Sequence, residues 1–159
     1  MCILLKKVRL KPLLISILIS LGTGIIAGLI TRGSVADYAS LDKPAFAPPG
    51  WLFPLVWGIL YILMGISAFL IYESICTNRD RALKLYALQL GVNFLWPIIF
   101  FNLKLYTLAF IWILALWILI IAMITSFYRC NKTAAYLQIP YFVWVTFATV
   151  LTYAVAVMN

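Results

Sequence analysis

The segment that decides the fold runs from Tyr38 to Tyr61 and reads YASLDKPAFAPPGWLFPLVWGILY. It lies between two stretches that are apolar enough to cross a bilayer. Lipid-facing helices do not need such a density of prolines and aromatic rings, and each proline fixes φ and stiffens the chain. Pro48-Pro49-Gly50 is also an ordinary signal that ends a loop before a helix. The same residues can both stiffen the loop and end it. The segment predicts a stiff loop leading into a helix with an aromatic face, which suits a flat apolar ligand.

The composition around this segment is that of a membrane protein. Hydrophobic residues make up 66% of the 159 residues and charged residues only 10%, whereas a soluble domain is about half apolar and about one quarter charged. Backbone amides in lipid must be satisfied within each span, and the short alternating strands of a β-barrel do not occur, so the sequence predicts an all-α integral membrane bundle. Each span needs roughly 20 apolar residues. Residues 1–159 are predicted to form one domain with a lid loop (loop one) at 33–50 and five transmembrane helices at about 11–32, 51–75, 82–103, 105–128 and 133–157.

The basic residues predict the orientation in the membrane. Twelve Lys and Arg against four acids give a net charge of +8. Arg32, Lys43 and Lys104 fall on the side of loop one, and nine fall on the opposite side, namely Lys6, Lys7, Arg9, Lys11, Arg79, Arg81, Lys84, Arg129 and Lys132. Loops rich in basic residues stay on the inner side of the membrane. The N terminus is therefore predicted on the inner side of a bacterial cell membrane, and loop one and the C terminus on the outer side. Because orientation explains the charge, nucleic-acid binding is not predicted.

The first span could also be taken for a signal peptide, because Ser34-Val35-Ala36 resembles a cleavage site. Its apolar stretch from Pro12 to Ile30 is longer than the roughly 7–15 residues of a usual signal-peptide core. The first span is therefore expected to be retained as part of the bundle.

Cysteine usage predicts neither a disulfide nor a metal site. Cys2, Cys76 and Cys130 are scattered along the chain, are odd in number and form no CxxC pair. They are interpreted as small apolar fillers near helix ends on the inner side.

Missing residue types exclude several function classes. The chain has no histidine, so no imidazole can ligate haem iron or act as a base near neutral pH. Glu73 and Lys104 lie near span ends, whereas proton-coupled transporters use a carboxylate deep within the membrane. No hydrolytic site, metal site or bound cofactor is predicted.

Aromatic residues recur at helical spacing in three spans. Phe53, Trp57 and Tyr61 are four residues apart and project from one face of span two. Asn93 and Trp96 share a face of span three, and the Asn93 amide needs a hydrogen-bond partner in hydrocarbon, either a helix, a water or a ligand. Span five offers Tyr141, Trp144 and Ala148. Indoles and one amide around a space would bind a flat apolar molecule by stacking and burial.

The ordinary interpretation of the tryptophans is a belt at the membrane surface. It fits Trp51, which lies at a span end, whereas Trp112 and Trp117 are expected to face lipid or helix packing. It fits less well the tryptophans that lie one or more turns inside, which are Trp57, Trp96 and Trp144.

Small residues and prolines predict how the helices meet. Span one carries small residues at four-residue spacing, namely Ser16, Ser20, Gly24 and Gly28. Ala87 and Gly91 form a weaker stripe in span three, and such stripes let helices approach closely in lipid. One stripe is expected to pack within the bundle and the other against a second protomer, and the sequence leaves open which does which. Pro97 and Pro140 lie inside predicted spans and predict kinked helices around an internal space.

Four motifs carry a family resemblance through the loop and the spans in order. They are Lys43-Pro44-Ala-Phe46-Ala-Pro48-Pro49, Phe53-xxx-Trp57-xxx-Tyr61, Asn93-xx-Trp96 with Phe100-Phe101, and Pro140-Tyr141-xx-Trp144-xx-Phe147-Ala148. The chain resembles the TspO/MBR or translocator protein family, also called the tryptophan-rich sensory protein or peripheral-type benzodiazepine receptor family. It departs from the family pattern at Phe46, where many relatives have Trp, at Pro97, where a small residue is common, and at Thr152, where Asn is frequent.

The resemblance implies a five-helix bundle, often a homodimer, with a ligand cavity beneath loop one. Family ligands are porphyrins such as protoporphyrin IX, haem-related tetrapyrroles, sterols and benzodiazepine-type compounds. Matched by motif position, the cavity would be lined by Tyr38, Pro48, Phe53, Trp57, Tyr61, Asn93, Trp96, Trp144 and Ala148. Some bacterial members are reported to degrade porphyrin under light, and Trp57 and Trp144 would be the redox candidates here.

The leading hypothesis is a non-catalytic membrane receptor or transporter-like protein, acting as a tetrapyrrole or stress sensor that binds porphyrins and other flat apolar ligands. The enzyme-class alternative is light-dependent porphyrin breakdown through a radical on Trp57 or Trp144. A third interpretation is a scaffold with a vestigial ligand site. No basic residue follows Tyr153, so the sterol pattern is not completed there and sterol binding is less expected than porphyrin binding.

Overall fold

The computed structural model describes residues 9–159, and this part of the chain is helical with no strand. The helices are α1 (Leu10–Val35), α2 (Leu52–Tyr72), α3 (Arg79–Pro97), α4 (Tyr106–Cys130), the short α5 (Lys132–Tyr136) and α6 (Ile139–Met158). Five helical stretches of the described residues are long and apolar enough to cross a membrane, the last formed by α5 and α6 together. The predicted all-α bundle of five transmembrane helices is confirmed.

The buried core lies where α2, α3, α4 and α6 meet. Met64, Phe127 and Tyr141 are completely buried there, one on each of α2, α4 and α6. Helix α1 packs against this core mainly through α2 and exposes large apolar side chains on its outer face, as a helix in contact with lipid does. Any internal space that α1 borders must therefore lie on the side of α1 that faces the bundle.

Loop one begins with a 3₁₀ turn, Ala36–Ser40, and ends at α2. The Leu52 N–H donates to the Pro49 carbonyl at 3.1 Å, so the Pro48-Pro49-Gly50 sequence does end the loop at the start of the helix. Pro54 lies in the first turn of α2, where its missing N–H costs little. The prolines thus fix the direction in which α2 leaves the loop.

The two prolines inside the predicted spans have different consequences. Pro97 ends α3, and the chain continues as a π-helical turn, Ile98–Asn102, because Pro97 has no N–H to donate to the Asn93 carbonyl. Pro140 was expected to kink a continuous span. The structure instead interrupts that span between α5 and α6 and places Pro140 in the first turn of α6, where proline is well tolerated.

The small-residue stripe of α1 packs within the bundle, against α2. Ser16 and Ser20 donate through Oγ to the carbonyls of Gly65 and Tyr61, at 2.7 and 2.6 Å. A Cβ on Gly65 would lie 2.6 Å from the Ile17 Cα, so the two backbones approach too closely for a larger residue. The weaker stripe, Ala87 and Gly91 of α3, is exposed on the surface of the bundle.

A disulfide joins Cys76 and Cys130, so the prediction that the cysteines form no disulfide was wrong. Cys76 follows α2 and Cys130 ends α4, and their Cα atoms lie 5.4 Å apart despite a sequence separation of 54 residues. Spacing alone could not reveal this pair, because helix packing brings the two ends together. Nearby, Asn131 Nδ2 donates to Ser74 Oγ at 3.4 Å and joins the same two segments. Cys2 lies outside the described residues.

Candidate functional site

A cavity of about 460 Å³ lies between α1, α2 and the end of α3, beneath the 3₁₀ turn of loop one. Its size falls within the roughly 300–1,000 Å³ of typical ligand pockets. Its walls are formed by Leu21, Gly24, Ile25, Ala27, Gly28, Thr31 and Arg32 of α1, by Tyr38 and Gly50 of loop one, by Phe53, Pro54, Trp57, Gly58 and Tyr61 of α2, and by Asn93, Trp96, Pro97 and Phe101.

The α2 wall is aromatic. Phe53, Trp57 and Tyr61 all face the cavity because their four-residue spacing puts them on one side of the helix. The rings of Trp57 and Tyr61 lie 5.6 Å apart between centroids and are tilted by 33°, so they form one continuous apolar surface. Such a surface can stack against the face of a flat ligand.

The α3 wall contributes the amide and a second indole. Asn93 is buried, and its Nδ2 donates to the Tyr61 hydroxyl at 3.1 Å. Of the three partners that the sequence left open for this amide, the structure shows a neighbouring helix. Trp96 stacks on Phe100 with a centroid distance of 5.2 Å, and its buried Nε1–H has no hydrogen-bond partner among the described residues. Trp96 therefore contributes its ring to the cavity wall.

The α1 wall is built from small residues, which is why there is space at this point. A Cβ on Gly24 would collide with the Tyr61 ring, so glycine is needed to admit the ring. A Cβ on Gly28, one turn further along α1, would have no heavy atom within 4 Å. Arg32 follows one turn beyond Gly28 in the same wall, and it is exposed.

Tyr38 covers the cavity from loop one. It is 6% exposed and makes edge contacts with Phe53 and Phe101, at centroid distances of 5.5 and 6.2 Å. Burial raises the pKa of the Tyr38 hydroxyl, so the ring stays neutral over the site. Lys43 lies 4.4 Å from the centre of the Tyr38 ring and donates through Nζ to the Tyr38 carbonyl at 2.8 Å. Tyr38 is thus held in place from both sides.

Six of the nine site residues expected from the family resemblance line this cavity, namely Tyr38, Phe53, Trp57, Tyr61, Asn93 and Trp96. Pro48, Trp144 and Ala148 are absent from the lining. Phe53, which lines the cavity, contacts Trp144 with 6.0 Å between ring centroids, and Trp57, which also lines it, contacts Tyr141 at 6.1 Å. The α2 rings therefore separate α6 from the space, and Trp144 forms a second layer.

Sequence reasoning missed most of the α1 wall. Gly24 and Gly28 were interpreted only as packing residues, and Arg32 only as a charge that sets orientation. A signal was present, because Gly24, Gly28 and Arg32 are four residues apart and hence share a helix face. Phe101 was part of a family motif but had been given no role in the site.

The described residues offer little conventional catalytic chemistry. They contain no group of three or more His, Cys, Asp or Glu side chains placed to hold a metal ion. The polar groups in the cavity wall are few, chiefly Thr31, Arg32, the Tyr61 hydroxyl and Asn93. The arrangement can bury and stack a flat molecule and bind a polar group at Arg32.

Comparison with known proteins gives a consistent result. The sequence model of the TspO/MBR family matches residues 16–158. The chain is 38% identical over 152 residues to the tryptophan-rich protein TspO of Archaeoglobus fulgidus, covering 95% of this chain and 99% of the relative. It is 34% identical over 122 residues to the tryptophan-rich sensory protein of Cereibacter sphaeroides, covering 77% and 76%. It is 33% identical over 139 residues to the translocator protein of Homo sapiens, covering 86% and 82%.

Proposed function

This chain belongs to the TspO/MBR family, and from that premise we propose that it is a membrane receptor or transporter-like protein that binds porphyrins and other flat apolar ligands. The ligand occupies the cavity under loop one, and its binding serves as a tetrapyrrole or stress signal. Protoporphyrin IX, haem-related tetrapyrroles and benzodiazepine-type compounds are the ligand classes proposed. The names of two relatives, a sensory protein and a translocator protein, support a sensing or transporting role.

The observation that carries the proposal is the composition of the cavity wall. Trp57 and Trp96 contribute indoles from two helices, and Tyr61 lies between Trp57 and Asn93. Aromatic faces stack against a planar molecule. Binding is also favoured because the ligand removes the surrounding apolar surface from water. The glycines of α1 leave room on the opposite wall.

Spectroscopic titration tests this function. Protoporphyrin IX is added to the purified protein in a non-ionic detergent, and the shift of its Soret absorption band is followed. Trp57→Ala and Asn93→Ala should weaken binding by about tenfold, as central anchors of a binding site do. Trp112→Ala is the matched control, because the Trp112 indole donates to the Val92 carbonyl of α3 and Trp112 does not line the cavity. Equal effects of all three substitutions would contradict the site, and an unshifted band in the wild-type protein would favour a scaffold with a vestigial site.

Light-dependent porphyrin breakdown is the second candidate function, and the position of Trp57 favours it. An excited porphyrin in the cavity would contact the Trp57 indole, which can donate an electron, with dioxygen as the terminal oxidant. Trp144 is the weaker candidate, because it contacts the Phe53 ring and does not line the cavity. Illumination of the complex should bleach the Soret band more slowly in Trp57→Phe than in wild type. Equal bleaching would indicate simple photosensitised damage.

We also propose an orientation and an assembly. The distribution of basic residues supports an inside N terminus in a bacterial cell membrane, with loop one outside. A homodimer is the proposed assembly, for which the exposed Ala87 and Gly91 of α3 offer a close-packing surface. Light scattering of the detergent-solubilised protein tests the assembly, and Gly91→Leu should shift it toward the monomer.

A further inference from the structure

Arg32 is an exposed cation in the wall of a largely apolar cavity. It lies in the last turn of α1 and lines the same space as Trp57 and Trp96. Its side chain is exposed, and within residues 9–159 it forms no ion pair and donates no side-chain hydrogen bond to another residue. A guanidinium in this position is available to a group that enters with the ligand.

The acids of the protein do not neutralise Arg32. The chain has four acids, Asp37, Asp42, Glu73 and Asp80. Asp37, in loop one, pairs instead with Lys104 at 2.8 Å. At the other end of the bundle, Glu73 pairs with Arg9 and Asp80 with Arg79. The Asp42 backbone is hydrogen-bonded to the side chain of Asn159, which follows α6, and the Asp42 carboxylate pairs with no described base.

From this placement we infer that the ligand is a flat apolar acid whose carboxylate binds Arg32 in the cavity wall. The inference rests on the proposed function and adds the chemical class and the orientation of the ligand. The guanidinium presents a planar fork of donors that matches a carboxylate in two parallel hydrogen bonds. The apolar body of the ligand lies against Trp57 and Trp96, and its acid points out toward loop one.

This orientation sets a preference among ligands of similar shape. A porphyrin that carries propionic acids places one of them at Arg32, whereas its dimethyl ester has the same body without the charge. A sterol offers only a neutral hydroxyl at its polar end. The acid should therefore bind more tightly than the ester, although both fill the apolar part of the cavity equally well.

The test compares protoporphyrin IX and its dimethyl ester on wild type, Arg32→Gln and Arg32→Lys, each purified in a non-ionic detergent without phosphate. Lys104→Gln is the matched control, because it removes the same unit of charge from the same side of the bundle without touching the cavity lining. Dissociation constants are read from the Soret band. Comparing the acid-to-ester ratio between variants cancels the partition of each ligand into detergent.

Wild type should prefer the acid by about tenfold, the usual scale of a charge-assisted hydrogen bond. Arg32→Gln should abolish the preference by weakening acid binding alone, and Arg32→Lys should retain part of it. An equal loss in Lys104→Gln would show a general field effect and overturn the inference. An acid-to-ester ratio that is the same in wild type and Arg32→Gln would also overturn it.

Arg32→Lys keeps the test decisive if Arg32→Gln does not fold, because its acid-to-ester ratio can be compared with that of wild type in the same detergent. The outcome also separates the two proposals. If both ligands bind but the acid-to-ester ratio is the same in wild type and the Arg32 variants, the carboxylate inference fails and the proposed function stands. If neither ligand binds, the proposed function itself fails.

Discussion

Asp42 and Asn159 exchange two hydrogen bonds that fasten loop one to the end of α6. The Asp42 N–H donates to Asn159 Oδ1 at 3.2 Å, and Asn159 Nδ2 donates back to the Asp42 carbonyl at 2.9 Å. On the other side of the loop, Lys43 holds the turn that carries Tyr38. These tertiary hydrogen bonds add to the stiffness that the prolines give loop one. Through them, the loop that carries Tyr38 over the cavity is anchored to the end of α6.

Asn159→Ala should loosen this anchor and speed the release of ligand. A neutral hydrogen bond contributes about 0.5–1.5 kcal/mol to stability. Because this pair is exposed, we expect the loss to increase the dissociation rate by only about two- to fivefold. Stopped-flow displacement of bound porphyrin measures the rate. Val157→Ala, also exposed near the end of α6, is the control. An unchanged rate in Asn159→Ala would mean that the loop does not gate release.

Gly65→Ala should destabilise the bundle, whereas Gly58→Ala on the same helix should not. An added Cβ on Gly65 meets the Ile17 backbone, which has no rotamer with which to move away, but a Cβ on Gly58 meets no atom within 4 Å. Overpacking of this kind costs about 1–3 kcal/mol. Thermal unfolding followed by circular dichroism compares the two variants. Equal midpoints would show that α1 and α2 are free to separate.

Local spacing predicted the α2 wall, because residues four apart must share a helix face whatever surrounds them. Phe53, Trp57 and Tyr61 could therefore be placed on one cavity from the sequence. The rotation of α6 relative to α2 is set by packing in three dimensions, so the sequence could not tell that Trp144 contacts the Phe53 ring and does not line the cavity. The same limit concealed the approach of Cys76 to Cys130, whose separation along the chain is 54 residues.

The Cys76–Cys130 disulfide should respond to the compartment that it faces. The proposed orientation places this end of the bundle in the cytoplasm, where thiols are kept reduced. We therefore expect all three cysteines of the chain to be free when trapped by a permeant maleimide in intact cells. After purification in air, two of them should be lost to labelling and recovered with dithiothreitol.

Mass spectrometry of the labelled protein counts the thiols, and Cys76→Ser is the control, since it should retain Cys130 as a free thiol throughout. If no thiols are lost in air, the two cysteines do not pair. If the pair is already oxidised in cells, this end of the bundle faces outside, and the proposed orientation is reversed.

The hydrogen bond between Asn93 and Tyr61 predicts a double-mutant cycle with a defined sign. Tyr61→Phe removes the hydroxyl but leaves the buried amide of Asn93 without its partner, which costs about 1–3 kcal/mol. Asn93→Leu added to Tyr61→Phe removes the unpaired amide, so the double variant should be more stable than Tyr61→Phe alone. Denaturant unfolding in detergent measures the four free energies, those of wild type, Tyr61→Phe, Asn93→Leu and the double variant. Additive effects would show that the amide has another partner, such as a water in the cavity, and that the two side chains are not coupled.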